Sequence, residues 1–396
     1  MQLLPPTRPG ASLSPDVGGK RSDDVIGNAL VQPLSVIGCV LLGLWLAACD
    51  RPAAAPPRPA APVAAPTREG AAPAVPAESV TAPPEKRQIA IGVGGQELFV
   101  YLPLTLAHQL GLFEEAGLTV EILNFQGGAR ALEALVAGGV DLVSGFFDHT
   151  IQKQTTDVVP LTMVVLFDRY PGVVLLAEPG LASQVHSFAD LKGQTLGVTS
   201  LGSSSHMLLN YILAQAGLAR DDVGVISIGT GASALAALEA GRVPAGMCLD
   251  PTATQLQQLG KARVLWDTRS ERDTTTALGG PYPAGGLYTL RAYLDTHPRT
   301  VQAAVTASVR ALRWIQQHSA AEIADRMPES FYGGDKRLYV DSLQASLPMF
   351  SPDGLMPEGG PARVLEVLRL SDEAVRNAPR IDLAATYTNR FVEAVR

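Results

Sequence analysis

Gly128-Ala-Arg-Ala-Leu-Glu-Ala-Leu-Val-Ala-Gly-Gly-Val140 and Gly231-Ala-Ser-Ala-Leu-Ala-Ala-Leu-Glu-Ala-Gly-Arg-Val243 lie 103 residues apart and agree at nine of thirteen positions. The spacing of Ala and Leu in both predicts an amphipathic helix that stops at glycine. Their surroundings repeat as well. Upstream of the first lie apolar runs at 89–93 and 118–125, and downstream one at 140–146. The second is framed by runs at 195–199, 223–228 and 243–249, and Ala-Gly-Leu occurs at 116–118 and again at 216–218. Short apolar strands alternating with amphipathic helices predict α/β architecture, here as two lobes of similar βαβαβ design.

The 396-residue chain has a formal charge of −7 and a pI near 5.4, which argues against a nucleic-acid binder, since that needs a basic face. Its cysteines (Cys39, Cys49 and Cys248) have neither a disulfide framework nor zinc-ligand spacing. No metal or other cofactor is expected, and a monomer is.

The N-terminus reads as an address. Residues 34–48 are apolar and uncharged, and as a helix would span roughly 22 Å, short of a hydrocarbon core of about 30 Å. With Lys20 and Arg21 upstream, the segment has the form of a secretory signal. It ends in Leu46-Ala47-Ala48-Cys49, which resembles the bacterial lipobox, so Cys49 is the expected lipidated residue. Asp50 resembles a retention signal for the inner membrane. Residues 51–84 hold 10 Pro and 12 Ala, a composition that builds no core and makes an extended stalk. The expected divisions are a signal peptide at 1–48, an anchored cysteine and linker at 49–85, a first lobe at 86–180 with 285–396, and a second at 181–284.

In open α/β sheets a ligand sits beyond the carboxyl ends of the strands, where turns lead into helices and free amides favour a negative group. The candidates on those turns are Gly94, Gly95, Gln96, Gln126, Gly127 and Gly128 in one lobe, and Thr199, Ser200, Gly202, Ser203, Ser204 and Ser205 in the other. Three successive serines exceed what one helix cap uses. Phe146, Phe147, Asp148 and His149 end one strand, with alternation sending the two aromatics to opposite faces and Phe147 the expected contact, and Asp250 ends its counterpart. Stacking by the aromatic and pairing by the carboxylates are weighed against core packing and helix capping. Arg169 is a possible cationic fork, set against a local role beside Asp168.

The series Leu102-Pro103-Leu104, Gly111-Leu112-Phe113, Gly117-Leu118, Phe125-Gln126-Gly127-Gly128, Gly138-x-Val140-Asp141, Asp190-Leu191-Lys192-Gly193, Gly197-Val198, Gly202-Ser203-Ser204-Ser205 and Leu249-Asp250-Pro251 resembles the solute-binding proteins of ABC importers, in the branch for nitrate, sulfonate, taurine and thiamine-pyrimidine uptake. That resemblance implies a type II periplasmic-binding-protein fold, two α/β lobes with a hinge and a ligand cleft between them. The crossings are expected near 176–187 and 277–287. It implies a small solute, anionic by the turn chemistry, and a membrane permease as partner, with no catalysis. The rivals are an enzyme on the same fold, which in the thiamine-pyrimidine synthases carries a cysteine-rich motif not seen in this chain, and a ligand-sensing lipoprotein. No dinucleotide, Walker or Gly-x-Ser-x-Gly signature is present.

Overall fold

A computed structural model of the chain describes residues 82–156 and 160–395. The expected signal, Cys49 and nearly all of the stalk lie outside the described residues.

The strands are β1 (Gln88–Val93), β2 (Thr119–Asn124), β3 (Leu142–Phe146), β4 (Leu161–Leu166), β5 (Val173–Ala177), β6 (Thr195–Val198), β7 (Gly224–Ser227), β8 (Ala245–Leu249), β9 (Arg263–Asp267) and β10 (Gly285–Leu290). They form two five-stranded sheets, ordered β2-β1-β3-β10-β4 and β7-β6-β8-β5-β9. The orders correspond strand for strand. In each, three parallel strands are extended by an antiparallel one, β10 against β3 and β4, or β5 against β8 and β9. The internal repeat carries through: the helices Gly128–Val136 and Gly231–Glu239 are 103 residues apart, as are β3 and β8.

The sheets differ from expectation in one boundary. β5 belongs to the second sheet, so the chain crosses at 167–172, between β4 and β5, and not at 176–187. The second sheet therefore begins at Val173, not at 181. Both β4 and β5 are buried at every position although β4 ends its sheet and β5 lies inside the other, so burial does not say which sheet each joins. The return crossing runs through 279–284, between the helix Glu271–Leu278 and β10. The crossings bind each other: the amides of Phe167 and Asp168 donate to the Gly285 carbonyl at 2.7 and 3.1 Å, and Ala284 N donates to Asp168 O at 3.0 Å.

The main core includes residues of both sheets, with a smaller cluster around Val174, Leu176 and Ile228 beneath the second. The chain after β10 is helical. Its longest element, Pro298–Ile315, buries Val301, Val305, Leu312 and Ile315 along one face. A later helix, Gly360–Ser371, reaches the second lobe, where Asn210 and Arg220 side chains donate to the Ser371 carbonyl.

Candidate functional site

The carboxyl ends of the parallel strands in the two sheets face each other along one seam. The turn after β1 holds Gly94, Gly95 and the half-buried Gln96, and that after β2 holds Gln126, Gly127 and Gly128. Gly127 lies so close to the opposite lobe that an added Cβ would stand 2.6 Å from both Cβ and Oγ of Ser200. A Cβ on Gly95 would stand 2.8 Å from Thr230 Oγ1. Thr230 Oγ1 in turn donates to Gln126 Oε1 at 3.1 Å, and Phe99 N donates to Asp250 O at 3.1 Å. Gly202 faces the start of the helix Gly128–Val136, with a Cβ there 3.7 Å from that of Ala129.

The serine cluster divides its work. Thr199, Ser203 and Ser205 hydroxyls form a triangle with 2.9 Å sides, and Ser205 Oγ also accepts from Thr199 N at 3.0 Å. Those three are satisfied within their own lobe. Ser204 reaches out: its hydroxyl donates to Asp148 Oδ1 across the seam at 2.7 Å. Ser200 Oγ, buried against Gly127, has no partner.

Asp148 and His149 follow β3 and are buried. Asp148 Oδ2 is unpartnered. Burial pushes its carboxyl from an ordinary 3.8 up to about 7, against the lowering effect of the Ser204 hydrogen bond. His149 shares a 3.0 Å hydrogen bond between Nδ1 and the Tyr288 hydroxyl, and its Nε2 is unpartnered. Burial lowers the imidazole to about 3, so it is neutral at ordinary pH. Its Cε1 edge lies beside Gly128, 3.3 Å from where a Cβ would stand there. Between the lobes remains an enclosed space of about 20 Å³, room for about one water, lined by Gly94, Leu98, Tyr101, Phe146, Val173, Leu249 and the serine turn. Anything larger enters only when the seam opens. Among the described residues no lysine or arginine lines it, and no three His, Cys, Asp or Glu side chains converge as a metal site.

Two expected residues lie elsewhere. Phe147 is fully buried and packs edge-on against Tyr387, centroids 6.4 Å apart, while Phe146 lines the seam. Strand alternation sends the last residue of β3 one way, and the next residue already turns into the helix Asp148–Gln152. Asp250 keeps its carboxylate in its own lobe: Oδ1 accepts from Thr254 N at 2.9 Å and Thr254 Oγ1 at 2.7 Å, and Oδ2 pairs with Arg269 at 3.4 Å. Arg169 is exposed and donates to the Pro348 carbonyl, whereas Asp168 is buried in the hinge with both carboxyl oxygens unpartnered. Sequence reasoning missed Tyr101, Leu98 and Thr230 as seam residues. Alternation separates Phe146 from Phe147; Leu98 and Tyr101 flank or end a single 3-10 turn, Phe99–Tyr101, and Thr230 precedes a helix, positions too short for a periodic signal.

The NMT1-like family model matches residues 82–327, well over half of the chain. In Escherichia coli (strain K12), the "Putative aliphatic sulfonates-binding protein" is 30% identical over 269 residues, covering 57% of this chain and 81% of the relative. A solved structure from Bordetella bronchiseptica RB50 is 38% identical with a TM-score of 0.75, covering 79% of this chain and 98% of that one. The alkanesulfonate-binding protein SsuA from Xanthomonas axonopodis pv. citri, solved bound to MOPS, has a TM-score of 0.60 at 24% identity over 77% of this chain and 99% of its own, a likeness of fold. The chain belongs to the NMT1-like family, on the periplasmic binding protein fold.

Proposed function

We propose that this chain is the solute-binding component of an ABC importer, holding a small anion of the sulfonate, nitrate or carboxylate kind between its lobes. The observation that carries the reading is the seam itself. Two matching sets of strand-end turns, two of them leading into the helices Gly128–Val136 and Ser204–Gln215, meet around buried polar atoms that have no partner in the protein. Helix starts and neutral donors suit a negative group, and the sulfonate-binding relative supports an anion. Solute contacts are assigned to the amides of the 94–96, 126–128 and 199–205 turns, to the Ser200 and Ser204 hydroxyls, and to Asp148 and His149. Phe146 and Tyr101 replace Phe147 as the aromatic walls.

A binding role without covalent chemistry is supported by the state of Cys248. It is the free cysteine of the described residues, fully enclosed, and burial pushes its thiol up to about 12, far from a nucleophile's range. In this reading the lobes are tied to the membrane by Cys49 and the stalk, and the permease receives the solute. Cys49→Ala is expected to release the protein into the soluble fraction while solute binding persists.

A thermal-shift screen over alkanesulfonates, nitrate, aromatic carboxylates and pyrimidines tests the reading. A ligand of the folded form raises the melting temperature by mass action. An anion that stabilises at millimolar concentration supports the proposal; a chain stabilised by none of them refutes it.

A further inference from the structure

Asp148 is out of place in an anion site. Its carboxyl is fully buried at the seam, one oxygen held by Ser204 across the gap and the other without a partner. A negative charge there would sit beside a negative guest in a poorly hydrated space, where opposition is strongest. Two hydrogen bonds favour the charged form, from the Ser204 hydroxyl and the His149 backbone, but burial outweighs them. The groups that act on it electrostatically from the elements around it are the phenols of Tyr101, Tyr282 and Tyr288, none inclined to ionise in burial, and the acid Asp372. Its neighbour His149 is kept neutral by burial, with Lys153 as the cation acting on that ring. Tyr288 is positioned to satisfy His149 Nδ1, which leaves Nε2 facing outward from that pair as a neutral donor when the phenol gives the hydrogen.

Resting on the reading of the seam as an anion site, we propose that capture of the solute takes up one proton from solvent, carried by Asp148, so that binding weakens as the solution becomes more alkaline. The proton does two things. It removes the opposing charge, and it converts the unpartnered Oδ2 from an acceptor into a donor that can hold the anion alongside Ser200 Oγ and His149 Nε2. No covalent bond changes; one solvent proton becomes an O–H of the carboxyl on binding and returns on release. The same linkage makes release easier where the local pH is higher. Burial already lifts the Asp148 carboxyl to about 7, and a neighbouring anion lifts it further.

The test is calorimetry with ethanesulfonate, a strong-acid anion that does not titrate in this range, with nitrate and sulfate in parallel. Each is titrated in two amine buffers of unlike ionisation heat, triethanolamine and Tris at the alkaline end and pyridine and piperazine at the acid end, so that the buffer's ionisation heat counts protons without a competing anion. The expected uptake approaches one proton per solute near about pH 8 and falls toward zero near about pH 5, with affinity dropping about tenfold per pH unit above neutrality. Asp148→Asn should bind with an affinity that no longer follows pH; should that variant fail to fold, the proton count on the natural chain decides alone. Binding without proton uptake overturns the inference and leaves the anion reading standing. Proton release with affinity rising toward alkaline pH also overturns it. No binding of any of the three anions, nor of an aromatic carboxylate added to the set, from about pH 5 to about pH 8 overturns both.

Discussion

Ser204 and Asp148 stand on opposite lobes, 56 residues apart in sequence, and the hydroxyl of the first donates to the carboxyl of the second at 2.7 Å. This is a bond between two walls of one cleft, and it exists only while the walls are together. The bond closes a path from the helix Ser204–Gln215 to the end of β3. The hinge path through Asp168 and Gly285 closes the other side.

Removing the donor should therefore loosen the closed arrangement. Ser204→Ala leaves Asp148 Oδ1 buried without its partner, a cost of about 1–3 kcal/mol. Urea denaturation should show a loss of that order. Small-angle scattering of the variant without added solute should show a larger radius than the natural chain. Equal stability and equal radius would remove this contact from the account.

Acid–base behaviour offers a second check, because two buried neighbours pull in opposite senses. Asp148 is raised from 3.8 to about 7, so folding favours its protonated form: the contribution is present in acid and lost as pH rises from about 4 to about 7. His149 is lowered from 6.5 to about 3, so folding disfavours its charged form: its contribution is present above about 6.5 and lost as pH falls toward about 3. The slopes overlap and oppose between about pH 4 and about pH 6.5, and these residues together should give a nearly flat profile there. Asp148→Asn should uncover the histidine, with stability falling on acidification by up to about 1.4 kcal/mol per pH unit. His149→Gln should uncover the aspartate, with stability falling instead as pH rises. Urea titrations across this range read both slopes, and like-signed slopes in the two variants would contradict the assignment.

Gly127 provides a steric test that spares the fold. Its φ of 167° is extended backbone that any residue adopts, so Gly127→Ala should fold normally. The new Cβ would meet Ser200 at 2.6 Å only when the lobes are together. Overpacking costs about 1–3 kcal/mol, so solute affinity should weaken roughly 5- to 150-fold. Unfolding by urea without solute should weaken by no more than the same cost of about 1–3 kcal/mol, because the lobes can part to relieve the clash. An unaffected affinity would mean that the seam does not close on its guest in this way.

Much of this architecture can be read in the amino acids. The repeat at 128–140 and 231–243 exposes two equivalent helix starts, and glycine and serine at the preceding turns mark where the edges lie. Pairing of sheets is less legible. Leu161–Leu166 and Val173–Ala177 are both buried throughout and apolar but for Thr162, and only long-range contacts decide that the first closes one sheet and the second enters the other. Side-chain direction is lost at the ends of strands for the same reason. Asp148 and Asp250 end counterpart strands, yet one faces the opposite lobe and the other is drawn to Thr254 and Arg269. The burial of Asp168 in the hinge has no local signal at all, since its neighbour Arg169 is exposed and suggests a surface turn.

Closure around a guest is what every other statement depends on. Val136 on the first lobe and Leu259 on the second are exposed, the buried Cys248 should not compete for thiol-directed labels, and Cys39 and Cys49 are replaced by serine in the labelled protein. Spin labels on Val136→Cys and Leu259→Cys report the separation of the lobes by pulsed electron paramagnetic resonance. Ethanesulfonate or another stabilising anion should collapse a broad distribution of distances into one short, narrow population. A distribution that the same anion leaves unchanged, at a concentration where calorimetry shows it bound, would contradict the account.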